Sequence, residues 1–85
     1  LASALVSLDF PLIGANLVAE LTITVLEARS GDPVIANPVA GLEAGLVWCA
    51  FISADNTVTV RVENSTAGGI DPAARNWRVM VWKFP

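Results

Sequence analysis

Residues 46–64, LVWCAFISADNTVTVRVEN, decide the fold. Two runs rich in β-branched and aromatic residues, 46–53 and 57–64, are separated by the turn formers Ala54, Asp55 and Asn56, which is the pattern of an antiparallel hairpin. In the second run Val58, Val60 and Val62 alternate with Thr57, Thr59, Arg61 and Glu63. That strand has one apolar and one polar face. The first run is apolar on both faces, with Leu46, Trp48, Ala50 and Ile52 pointing one way and Val47, Cys49 and Phe51 the other. A strand of this kind needs cover on both sides, from a second layer or from a partner.

Working outward, residues 17–26 form a second clear strand. Leu17, Ala19, Leu21, Ile23 and Val25 line one face, with Glu20, Thr22 and Thr24 on the other. Residues 4–10 alternate more weakly and read as an edge strand or extended arm, so the expected division is an N-terminal arm or edge strand over 1–10 and one β-sandwich domain over 11–85. Pro11, Gly14 and Asn16 punctuate the loop between them. The turn Ser30-Gly31-Asp32-Pro33 leads to a short strand, 34–36, closed by Asn37-Pro38, and a single helical turn is expected around Leu42-Glu43-Ala44. The long irregular stretch 65–75 either crosses between sheets or is exposed for binding. The last strand, about 76–84, sets Trp77, Val79 and Val81 against Met80, Trp82 and Phe84. Short strands with turn signals roughly every ten residues predict an all-β fold, a small β-sandwich of immunoglobulin-like or jelly-roll type with about six antiparallel strands.

Eighty-five residues bury only about 60 to 65 % of their unfolded surface, enough for one modest core. Yet 54 % of them are apolar even before the six glycines are added, against about 45–50 % with glycine included in ordinary soluble domains. The excess is expected to meet another chain. Residues 33–52 carry one charge, Glu43, but Pro38, Gly41 and Gly45 interrupt them and basic flanks are missing, so a membrane span is not expected. A net charge of −3 argues against a nucleic-acid partner. Arg75, Arg78 and Lys83 gather positive charge late in the chain while acidic residues dominate earlier, an asymmetry able to orient a contact between copies. No secretory signal is recognisable, and a start at Leu1 without methionine is expected of a trimmed chain or a piece of a longer one.

Chemistry is hard to place here. There is no histidine to serve as general base or zinc ligand, and no serine has an activating partner. No acidic residues cluster, and the turn positions of Asp32, Asp55 and Asp71 are explained by backbone hydrogen bonding. Catalytic residues, cofactors and a metal are therefore not expected. Cys49, the only cysteine, reads as a small core residue and excludes an internal disulfide. Asn64-Ser65-Thr66 matches a glycosylation acceptor but reads as a strand end entering a loop. Trp48, Trp77 and Trp82 could form a carbohydrate surface. At alternating strand positions, together with Phe84 and Phe10, they read instead as core or interface anchors.

Several stretches carry a family resemblance: Leu8-Asp9-Phe10-Pro11, Ala15-Asn16, Ala19-Glu20-Leu21-Thr22-Ile23-Thr24-Val25, Gly31-Asp32-Pro33-Val34, Leu42-Glu43-Ala44-Gly45-Leu46, Ser53-Ala54-Asp55-Asn56-Thr57-Val58-Thr59-Val60-Arg61, Asn64, Ile70-Asp71-Pro72 and Trp77-Arg78-Val79. Together they resemble a family of small β-rich virion proteins of tailed bacteriophages. The resemblance implies a capsid decoration (cement) protein on the capsid surface, a homotrimer bound to the major capsid protein, with residues 1–10 touching neighbours. The alternative it implies is a receptor-binding or structural domain of a tail fibre or spike, using the 65–75 loop.

Overall fold

The computed structural model describes residues 2–83. Six strands, β1 (Ala2–Leu8), β2 (Val18–Thr24), β3 (Val34–Pro38), β4 (Leu46–Ala54), β5 (Thr57–Asn64) and β6 (Arg75–Val81), form two three-stranded antiparallel sheets, ordered β1-β6-β3 and β2-β5-β4. The fold is the expected all-β sandwich. Only the β4–β5 hairpin joins consecutive strands within a sheet; every other connection crosses from one sheet to the other.

The hairpin forms where the alternation placed it. Asn56 adopts φ 61°, a left-handed conformation that asparagine tolerates, and Ser53 is an extra residue between the paired Ile52 and Ala54. Its hydroxyl accepts a hydrogen bond from Thr59 Oγ1 at 2.7 Å, which ties the bulge back to β5. Being central, β5 puts Val58, Val60 and Val62 wholly inside. β6 does the same for the facing sheet with Trp77, Val79 and Val81. These two rows, joined by Leu8, Phe10, Ile13, Ile23, Val25, Ala28, Ala36 and Leu46, form the core between the layers.

Several boundaries differ from expectation: β2 runs only Val18–Thr24, leaving Leu17, Val25 and Leu26 outside it, and β6 runs Arg75–Val81, leaving Trp82 beyond its end. β1 ends at Leu8 because the chain turns inward before Pro11, which has no N–H for a ladder; Phe10 is buried, its ring 6.0 Å from that of Trp77 at 62°. β3 continues through Asn37 to Pro38, and Val39 still donates its N–H to Asn76 O at 2.8 Å. The helical turn expected around Leu42-Glu43-Ala44 is instead a β-turn in which Leu46 N donates to Glu43 O at 3.3 Å. Gly45 sits there at φ 92°, which breaks any helical run, and a Cβ on it would lie 2.3 Å from Thr66 Cγ2.

Three polar knots hold the crossings. Asn64, fully buried at the end of β5, donates from Nδ2 to Ile13 O (2.9 Å) and Gly68 O (2.7 Å). Its Oδ1 accepts from Thr66 N (2.9 Å) and Thr66 Oγ1 (2.6 Å). Ile13 and Ile70 exchange backbone hydrogen bonds beside it, so the loop following β5 is fastened to the loop following β1. Arg75 Nη2 donates to both carboxylate oxygens of Glu43 (2.8 Å to each) while Glu43 Oε2 accepts from Ala73 N at 2.9 Å. Near the other end Lys83 donates to Asp32 and to Glu27 O, and Asp32 also accepts from Arg29 N at 3.0 Å.

These contacts set a pH dependence. The bond from Lys83 and that from Arg29 N–H hold Asp32 below its ordinary carboxyl value of 3.8, and Glu43 is held below 4.5 by the Ala73 N–H, its own N–H and Arg75. A carboxyl with a depressed folded-state pKa contributes its stability in full above the unfolded value and loses it as pH falls through the folded one. Stability is therefore expected to be flat near neutrality and to fall below about pH 4. Urea midpoints measured across that range should drop less steeply in an Asp32→Asn, Glu43→Gln double variant; an unaltered slope would refute the assignment.

Candidate interaction surface

The five anchors expected from the sequence separate in space. Trp77 and Phe10 are core residues. Trp48 lies in register with Val62 and so leans inward at the sheet margin, its ring edge-on to Trp77 at 5.8 Å and 87°. Its Nε1 donates to Ala36 O at 2.8 Å, closing the seam between β4 and β3, while 40 % of the residue stays exposed. Trp82, just past β6, is 48 % exposed, and Phe84 lies outside the described residues. With Trp77 wholly inside, the three tryptophans do not share a surface. The indole Nε1 of Trp77 is buried with no hydrogen-bond partner among the described residues.

Cys49 is not a core residue. It is exposed on the outer face of β4, opposite Arg61 in register. The pattern gave β4 two apolar faces, and only the one bearing Leu46, Ala50 and Ile52 packs inward. Val47 stays exposed on the other, and the Arg61 guanidinium lies 5.0 Å over the Phe51 ring. Arg61 also pairs with Glu20 of β2, so charge is threaded through this face. Asn64 is closed to glycosylation in the folded chain, because both hydrogens of its amide nitrogen are engaged.

The outer face of the other sheet reads Ser3, Leu5 and Ser7 on β1, Met80, Arg78 and Asn76 on β6, and Ile35 and Asn37 on β3. Leu5 and Ile35 are at least half exposed, and a shallow depression opens over Leu5, Arg78 and Met80. Leu12, Leu17 and Leu26 are exposed too; Leu17 and Leu26, expected within the strand 17–26, lie just outside β2, where no ladder holds their side chains to a face.

Sheet margins are the other open feature. Unpaired strand edges invite further strands, and proteins normally blunt them with charge, proline, bulges or cover. β2 carries Glu20, β3 is short and holds Pro38 with its Ala36 carbonyl taken by Trp48, and β4 has the Ser53 bulge. β1, ASALVSL over seven residues, has no charge, proline or bulge. The depression and this edge are therefore open to association. Among the described residues no three His, Cys, Asp or Glu side chains gather as metal ligands would, and no helix is long and apolar enough to cross a membrane. Comparison with protein-family models, curated proteins and solved structures returned no match.

Proposed function

We propose that the protein is a structural component of a phage virion, a capsid decoration protein that associates with further copies of itself and docks on the major capsid protein at the capsid surface. The observation that carries this reading is the combination of a well-fastened sandwich with large apolar side chains left open, Leu5, Ile35, Val47 and Trp82 among them. A binder of the assembled lattice that ignores dispersed subunits stabilises the shell by mass action. Its apolar contacts add to those between capsomers and oppose expansion. The tail-fibre alternative rests on the 65–75 loop, whose start is fastened by Asn64 and whose end is held by Glu43 and Arg75, so that it forms a fixed rim.

Particles stripped of the protein should release DNA at lower temperature than complete ones, and adding it back should restore the original release temperature. Identical release temperatures with and without it would sink the decoration reading.

A further inference from the structure

The partner of the unguarded strand can be read from the strand itself. Trp82 N donates to Pro33 O and Val39 N to Asn76 O, so the even-numbered residues of β6 bond to β3 and the odd-numbered ones to β1. In the β1 register those odd residues face Ala2, Ala4, Val6 and Leu8. The N–H and C=O groups of Ser3, Leu5 and Ser7 therefore point away from the sheet, into the open. Ala2, Ala4 and Val6 point inward yet are only half-buried, because among the described residues no further element closes the sandwich along this side.

We propose that β1 pairs with β1 of a second copy, antiparallel about a two-fold axis at Leu5, merging the two β1-β6-β3 sheets into one continuous sheet. The inference deepens the self-association part of the function proposed above and rests on it. Its warrant is the near-palindrome of the strand around Leu5: Ser3 mirrors Ser7, Ala4 mirrors Val6 and Ala2 mirrors Leu8. In this register the free N–H of each of Ser3, Leu5 and Ser7 meets a free carbonyl of Ser7, Leu5 and Ser3 in the other copy. On the outer face Leu5 meets Leu5 directly across the axis, between serine pairs, as a hydrogen-bonded cross-strand pair. On the inner face small meets large, Ala4 against Val6 and Ala2 against Leu8, which covers the half-buried row. A strand with no ionisable side chain sets no like charges opposite one another across the axis, as β2 would if paired about Glu20. The contact is two-fold, so assemblies built on it hold even numbers of copies, in contrast to the trimer the resemblance implies.

Sedimentation of the purified chain, together with amide hydrogen exchange, tests this. The expected result is a mass of two subunits, or a multiple of two, with slow exchange at Ser3, Leu5 and Ser7 that quickens on dilution. Leu5→Lys, at a half-exposed position that the fold does not need, places like charges face to face and should halve the mass where Ser30→Lys, the same charge on a distant turn, does not. A wild-type monomer, an odd-numbered assembly, fast exchange at the three amides, or a Leu5→Lys protein of unchanged mass would each overturn the pairing. Capsid binding is scored separately: a monomer that still binds capsids removes the β1 pair alone, and a pair that ignores capsids removes the decoration reading alone.

Discussion

Replacing Trp77 by alanine should remove most of the stability of the fold. The side chain is wholly buried on the central strand β6, in edge-on contact with the rings of Phe10 and Trp48, and its backbone pairs with Val6 on one side and Pro38 on the other. Truncating a large buried aromatic costs about 3–5 kcal/mol, transfer and cavity terms together. A domain of this size holds roughly 4–13 kcal/mol in all. Each kcal/mol shifts the melting temperature of such a domain by about 4–8 °C, so a fall of at least about 12 °C is expected, read by circular dichroism on heating. Trp77→Phe separates packing from polarity. It leaves a smaller void and deletes an indole N–H that has no acceptor among the described residues, and since a buried unpaired donor itself costs about 1–3 kcal/mol, part of the lost packing is offset. The phenylalanine variant should therefore lose less than half of what the alanine variant loses. Equal losses would show that the cavity account is wrong.

Asn64→Ala is expected to be nearly as damaging, at about 3 kcal/mol, for a different reason. Little apolar surface is lost, but Thr66 N loses its acceptor, and Ile13 O and Gly68 O each lose one of two donors and keep only Ile70 N and Thr66 Oγ1, where water reaches poorly. Asn64→Asp should not rescue the loss. A carboxylate accepts from Thr66 as the amide oxygen does, yet it cannot donate to two carbonyls, and it brings a charge into a fully buried position. Chemical denaturation gives the magnitude, and amide exchange at Ile13 and Ile70, whose mutual bonds sit beside the knot, gives the location. If exchange quickens evenly along the chain and not first at these two residues, Asn64 is not the local fastener described.

Period-two alternation made the hairpin and the inward rows of β5 and β6 readable, because a central strand buried on one face carries its own pattern. β4 misled for the converse reason. Apolar residues on both its faces state a need for cover but not which face obtains it, and the facing sheet covers Leu46, Ala50 and Ile52 while leaving Val47 and Cys49 out. Trp48, Trp77 and Trp82 were indistinguishable in sequence, since their burial depends on strand order, which long-range pairing sets. The role of Asn64 lay behind a glycosylation-type triplet. The signal that could have found it is an asparagine at a strand end followed by Ser-Thr and Gly-Gly, the composition of a side-chain-capped turn. The vulnerability of β1 was likewise hidden, because its lack of charge becomes informative only once the strand is known to lie at a margin.

With all but one link leaping between layers, native neighbours are mostly far apart along the polypeptide. Such topologies assemble slowly, on the order of milliseconds to seconds, because loops must close before distant pairings repay them. β6 carries the central tryptophan, so a ribosome must release residues up to 81 before the valines of β5 can find their counterparts. Until then the nascent hairpin is greasy and unroofed, and its productive fate depends on keeping sister molecules away during synthesis.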